Sequence, residues 1–182
     1  MKKVYLFLAE GFEEIEAIAT IDMLRRANID VKSVSVQSEL QVKGAHGIAI
    51  EADLLFDATD FSDGTMLILP GGMPGTRNLQ HFAPLATLIK EYAAANKYLA
   101  AICAAPLVYG QLGILKGKEA TCYPGFEAEL TEAIHSNKPV VVSDRVITSA
   151  GPGTVFQFAL KIIDILSDKN TASNVAKGML LA

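Results

Sequence analysis

Residues 98–107 read Tyr98-Leu99-Ala100-Ala101-Ile102-Cys103-Ala104-Ala105-Pro106-Leu107. An apolar run ends at a cysteine, and two alanines and a proline follow. Proline at the start of a helical pattern belongs in a first helical turn, where the backbone N–H it lacks would have no partner anyway. The segment predicts a buried strand that turns abruptly into a helix. The same grammar recurs outward from it. Apolar runs bounded by Gly, Pro and Asn predict strands over residues 4–9, 31–36, 66–69, 98–103, 120–122, 140–142 and 146–148. Longer helical patterns occupy residues 12–27, 83–95, 105–112, 155–166 and 171–181. Strands alternating with helices predict an α/β fold whose parallel sheet is covered on both faces. Residues 40–50 alternate in short pieces and predict a small hairpin or edge.

The 182-residue length predicts a single domain over residues 1–182. Hydrophobic residues make up 51% and charged residues 20%, which excludes disordered and low-complexity classes. The two cysteines, Cys103 and Cys122, form no CxxC or Cys/His ladder. A disulfide scaffold and a zinc module are therefore disfavoured, and no metal ligand is assigned. The net charge of -4 and the lack of a basic block point away from nucleic acid and anionic membranes as partners. Residues 4–9 are too short for a signal-peptide core and lead into acidic sequence, so they read as a buried first strand. No stretch reaches the roughly 20 apolar residues that span a bilayer, and a cytoplasmic location is expected.

On the first helix, Phe12, Ala19 and Met23 share a stripe that also contains Glu16. A carboxylate on an apolar stripe must be paired, protonated or functional. The alternative is that Glu16 caps backbone donors near the helix start. Ile18, Ile21 and Leu24 populate the other side, interrupted by Glu14 and Arg25. That side is either covered by a second subunit or is peripheral core.

Cys103 sits where a strand meets a helix, the placement of a nucleophile elbow, although G-x-S-x-G is missing. A sulfur near a helix N-terminus is favoured as thiolate; a small buried hydrophobe is the other reading. Leu69-Pro70-Gly71-Gly72-Met73-Pro74-Gly75 follows a strand and reads either as an oxyanion-binding turn or as a tight strand exit. It lacks the P-loop ending. The turn at Gly151-Pro152-Gly153-Thr154 reads as punctuation. Glu16, Gly72 and Cys103 each follow the carboxyl end of a predicted strand, the edge where open α/β sheets bind ligands.

In order and spacing, LFLAEGFEEIEA (6–17), LILPGGMPGTRNL (67–79), LAAICAAP (99–106) and ITSAGPGT (147–154) resemble the DJ-1/ThiJ/PfpI superfamily, and its DJ-1-like branch most closely. The resemblance runs from about Lys3 to the C-terminus. It implies a flavodoxin-like three-layer sandwich with a mostly parallel central sheet, usually as a homodimer. It implies that Cys103 is the reactive cysteine and that Glu16, protonated, donates a hydrogen bond to it. Gly72 and Ala104 would supply backbone N–H donors, with Gly71, Tyr123 and His46 lining the site. Three departures matter. The histidine that follows the cysteine in the PfpI-like proteases is Ala104 here. A histidine near the cysteine of the branch's founding member corresponds to Tyr123. An arginine near that member's pocket corresponds to His46. Peptide hydrolysis by a Cys–His pair is thus disfavoured. His81 and His135 read as solvated surface, and Cys122 as a structural residue ending a strand. The resemblance implies cofactor-free chemistry on small reactive carbonyls, glyoxalase- or deglycase-like. The alternative is a redox sensor or stress chaperone whose cysteine reacts with peroxide.

Overall fold

The computed structural model describes residues 2–181. In chain order the elements are β1 (Lys3–Leu8), α1 (Glu14–Arg26), β2 (Asp30–Ser35), β3 (Gln41–Lys43), β4 (Ala49–Glu51), β5 (Leu54–Leu55) and β6 (Gly64–Leu69). There follow α2 (Gly75–His81), α3 (Ala83–Ala94), β7 (Tyr98–Ile102), α4 (Pro106–Gln111), β8 (Glu119–Ala120), β9 (Ile134–His135), β10 (Val140–Ser143), β11 (Val146–Ser149), α5 (Val155–Leu166) and α6 (Lys169–Gly178). Seven strands form the central sheet in the order β10-β11-β7-β6-β1-β2-β5. Within this sheet, among the described residues, only the β10–β11 pair is antiparallel. This is the mixed, mostly parallel sheet expected of a flavodoxin-like sandwich.

The period-2 alternation of β1 divides the core. Val4, Leu6 and Leu8 join Met23, Leu24, Phe158, Ile162 and Val175 beneath α1, α5 and α6. Tyr5, Phe7 and Ala9 face the other way, with Leu79, Leu85, Ile89, Leu107 and Tyr109 of α2, α3 and α4. Both faces of the central strands are thus apolar, which explains why the strands read as unbroken hydrophobic runs.

The structure corrects several expectations. The predicted strand at 120–122 is only Glu119–Ala120, and it pairs with β9 in a separate small sheet. Thr121 N–H is diverted to Thr148 Oγ1 at 3.0 Å and Tyr123 N–H to Cys103 O at 2.7 Å, so the ladder stops. Cys122 therefore lies in a loop, buried, rather than ending a strand. Helix α2 was not expected: it begins at Gly75 after Pro74 with no capping side chain, so no start signal marks it. His81 ends α2 instead of lying in a connection. The last helix begins earlier than expected because Asp168 caps it, accepting from Thr171 N–H at 2.8 Å. Residues 40–50 hold the anticipated hairpin, β3 against β4. On α1, Leu24 is core, whereas Ile15 and Ile18 are 56% and 42% exposed. Among the described residues no helix is long and apolar enough to cross a membrane.

Leu6 lies on the interior strand β1 with no solvent exposure. Leu6→Ala is expected to cost about 2–5 kcal/mol through lost burial and a residual cavity. Urea denaturation should show a lower midpoint with an unchanged slope.

Candidate functional site

Three adjacent strands, β1, β6 and β7, bring the candidate residues to one edge. Glu16 lies in the first turn of α1 after β1, Gly71 and Gly72 follow β6, and Cys103 follows β7. From β1 the chain runs outward to β2 on one side, while β6 and β7 lie on the other. The site therefore occupies the point where strand order reverses, as α/β sheets favour.

Cys103 adopts φ +65°, a region non-glycine residues rarely occupy. The turn is held from both sides. Cys103 N–H donates to Ser149 O at 2.9 Å, Cys103 O accepts from Tyr123 N–H at 2.7 Å, and Ala105 N–H donates to Ile102 O at 3.1 Å. Cys103 is 8% exposed. Gly71 is required by close approach: a Cβ there would lie 2.6 Å from Cys103 Cβ, 2.8 Å from Glu16 Oε2 and 3.0 Å from Cys103 Sγ. The sulfur and the carboxyl group thus share the space that a side chain on residue 71 would fill. Gly72 has φ +91°, and a Cβ on it would meet Glu13 N at 2.3 Å.

Glu16 has no solvent exposure. Its Oε2 accepts from Gly71 N–H at 2.7 Å, and its Oε1 has no hydrogen-bond partner. The alternative that Glu16 caps α1 is overturned. Glu13 is the cap, its Oε2 accepting from Glu16 N–H at 2.7 Å. Burial is the main cause that pushes the Glu16 carboxyl up to about 7, partly offset by the Gly71 amide and the Cys103 side chain. For Cys103, burial and the neighbouring Glu16 carboxylate push the thiol upward, while backbone hydrogen bonds from Ala104 and Gly72 pull it down. Chemically the two groups contest one proton and one charge. A negative charge on either group opposes a negative charge on the other.

Tyr123 is half-exposed, and its ring packs where a Cβ on Gly151 would stand, 3.1 Å away. His46 is not brought to the sulfur. Its Nδ1 lies 2.9 Å from Glu14 Oε2, its backbone N–H donates to Glu14 Oε1 at 2.7 Å, and its side chain is 70% exposed. Among the described residues no histidine hydrogen-bonds Cys103 or Glu16, and no Cys–His–acid triad forms. His135 is exposed as expected. Sequence reasoning passed over Glu13 and Glu14 as members of a cluster. Their one signal was a pair of adjacent acids at the start of a helix, which ordinarily reads as favourable dipole charge.

Residues 2–165 match the DJ-1/PfpI family. The chain is 39% identical to Protein DJ-1 homolog B of Arabidopsis thaliana, covering 99% of this chain and 42% of that protein. It therefore spans less than half of that relative. It is 35% identical to Glutathione-independent glyoxalase DJR-1.2 of Caenorhabditis elegans, covering 95% of this chain and 92% of that one. Among solved structures it is similar to oxidized Toxoplasma gondii DJ-1, with a TM-score of 0.95, 36% identity and coverage of 99% and 98% of the two chains. Such kinship supports an enzymatic or redox role in general. Sequence, fold and the placement of the cysteine turn agree: the chain belongs to the DJ-1/PfpI family, on its DJ-1-like branch.

Proposed function

We propose that this protein is a cofactor-independent, cysteine-dependent enzyme acting on reactive carbonyls. Its nucleophile is the Cys103 thiolate and its acid is protonated Glu16. The observation that carries the reading is a fully buried carboxyl group packed beside the cysteine around Gly71. Burial favours the neutral acid, and an ionised sulfur beside it favours that form further. The N–H groups of Gly72 and Ala104 favour charge on sulfur and offset part of the upward push of burial. The name of the Caenorhabditis relative, a glutathione-independent glyoxalase, supports the same reaction class.

The reaction on a 2-oxoaldehyde follows from these parts. The thiolate sulfur bonds to the aldehyde carbon, and the carbonyl π electrons move to oxygen, giving a hemithioacetal. The two backbone donors stabilise that oxyanion, which then takes the Glu16 proton and leaves a Glu16 carboxylate. That carboxylate moves the carbon-bound proton from C1 to C2 while the hydroxyl proton passes from the C1 oxygen to the C2 oxygen, yielding a 2-hydroxyacyl thioester with no external oxidant. Water cleaves the thioester, releasing the 2-hydroxy acid and the thiol. A single titratable group that first donates and then accepts suits a redox-neutral isomerisation. Deglycation would use the same sulfur on a glycated amine or thiol, and peptide cleavage finds no histidine to protonate its leaving amine.

The second reading is a redox sensor. The same sulfur, oxidised by peroxide to sulfenic or sulfinic acid, would place its new oxygens against Glu16 and the two amides. The oxidized state named for the Toxoplasma relative supports it. Mild peroxide followed by intact-mass measurement decides between them: one or two oxygens on Cys103 faster than on a control thiol supports sensing, and an unchanged mass removes it.

The exposed Ile15 and Ile18 on α1 support a homodimer that covers this face. Ile15→Glu combined with Ile18→Glu should convert the species seen by light scattering from dimer to monomer.

Cys103→Ala should abolish turnover of 2-oxoaldehydes. Glu16→Gln should keep the pH profile of Cys103 alkylation, because an amide still donates, whereas Glu16→Ala should shift that profile to higher pH. Both should lower turnover about 100-fold, since neither moves a proton. Full turnover in Cys103→Ala would overturn the catalytic reading.

Stability carries the same signature. The folded Glu16 value, about 7, lies above its ordinary 4.5. The stabilisation from binding that proton is complete below pH 4.5 and is lost as pH rises to about 7. At 1.36 kcal/mol per pKa unit this amounts to about 3 kcal/mol. Denaturation at several pH values should show this loss in the wild type and not in Glu16→Gln.

A further inference from the structure

A second constellation lies at the start of α1. One oxygen each of Glu13 and Glu14 and a ring nitrogen of His46 lie within 4.8 Å of one another. His46 Nδ1 is 2.9 Å from Glu14 Oε2 and 4.0 Å from Glu13 Oε1. Each carboxylate is anchored through its other oxygen. Glu13 Oε2 accepts from Glu16 N–H at 2.7 Å. Glu14 Oε1 accepts from His46 N–H at 2.7 Å and Ile48 N–H at 3.3 Å. Glu13 Oε1, on a residue only 7% exposed, accepts no hydrogen bond from any described residue and faces the imidazole. Gly44 makes room for the arrangement, since a Cβ there would lie 2.3 Å from Glu14 Oε1.

The charge balance is unusual. Two carboxylates, each more than nine-tenths buried, share one counter-group, a largely exposed imidazole. Among the described residues no lysine or arginine pairs with either. Buried carboxylates ordinarily require a cation or a fuller set of donors. Backbone amides fix one oxygen of each and direct the other inward. That is how supporting groups orient the ligands of a metal.

We propose that Glu13, Glu14 and His46 form a binding site for a borderline divalent transition-metal ion of the zinc class. Two carboxylate oxygens and one imidazole nitrogen make three protein ligands, and a water would complete the set as a fourth. An ion about 2.0–2.2 Å from each donor needs donors roughly 3–3.5 Å apart. The observed separations of 2.9 and 4.0 Å bracket that spacing, so small side-chain rotations suffice. The nitrogen ligand and low ligand number disfavour calcium and magnesium, which prefer six or more oxygens. The site does not depend on the reactivity of Cys103.

Zinc itself is the probe, titrated into the untagged full-length protein against a chromophoric chelator. The wild type should take up one equivalent. His46→Ala, a change at an exposed ring that leaves folding intact, should weaken binding at least 10-fold and abolish the zinc-dependent rise in melting temperature. Glu14→Gln should do the same, and circular dichroism reports whether its turn survives. Cys103→Ala should bind zinc as tightly as the wild type. No zinc uptake by the wild type, equal affinity in His46→Ala, or loss of binding in Cys103→Ala would each overturn the assignment.

Discussion

A carboxyl group taken wholly out of water is the constraint around which the carboxyl edge of this sheet is arranged. Glu16 has no solvent contact, yet only one of its oxygens accepts a hydrogen bond, from Gly71 N–H. An ionised carboxylate would demand more donors. A neutral acid asks less, because one oxygen carries a proton and becomes a donor. Gly71 serves this arrangement twice. Its amide fixes Glu16, and its missing side chain lets Cys103 and the carboxyl group approach the same point. Any larger residue at position 71 would separate the two groups.

Strain at Cys103 belongs to the same design. A positive φ on a cysteine costs of order 1–3 kcal/mol. It is retained because flanking segments over-determine the turn, β11 through Ser149 O and the loop after β8 through Tyr123 N–H. Those contacts link residues far apart in the chain, so the sulfur's position depends on the completed sheet. The side-chain alternation of β1, with Leu6 on one face and Phe7 on the other, carries that rigidity to both helical layers.

Much of this was legible because it is local. The strand-to-helix turn at Cys103, the glycines after β6 and the odd carboxylate on α1 are each marked by residue type and spacing. The failures are cases where tertiary bonds decide. Residues 121 and 122 have the composition of a strand, but Thr148 and Cys103 take the amides at 121 and 123. Helix α2 opens on a glycine with no cap, so packing of Leu79 rather than a start signal defines it. His46 drew attention as a residue near the sulfur, yet the β3–β4 turn carries it to Glu14. Pairwise contacts across 32 residues leave no periodic trace.

The three acids of the first α1 turn show how position alone separates chemistry. Glu13, outside the helix, caps it and leaves one oxygen turned toward His46. Glu14, next in sequence, points to the hairpin turn and accepts its amides, so its carboxyl is held below the ordinary range by His46 and backbone donors despite its burial. Glu16, two residues further and about 200° around the helix, points inward to the cysteine and is pushed up. Identical side chains within four residues thus acquire opposite proton affinities because donors cluster on one side of the turn and are scarce on the other. Donors at the hairpin favour charge on Glu14, and burial disfavours charge on Glu16. This division requires the helix to begin where it does: a shift of one residue would rotate every carboxyl group by about 100° and exchange their environments.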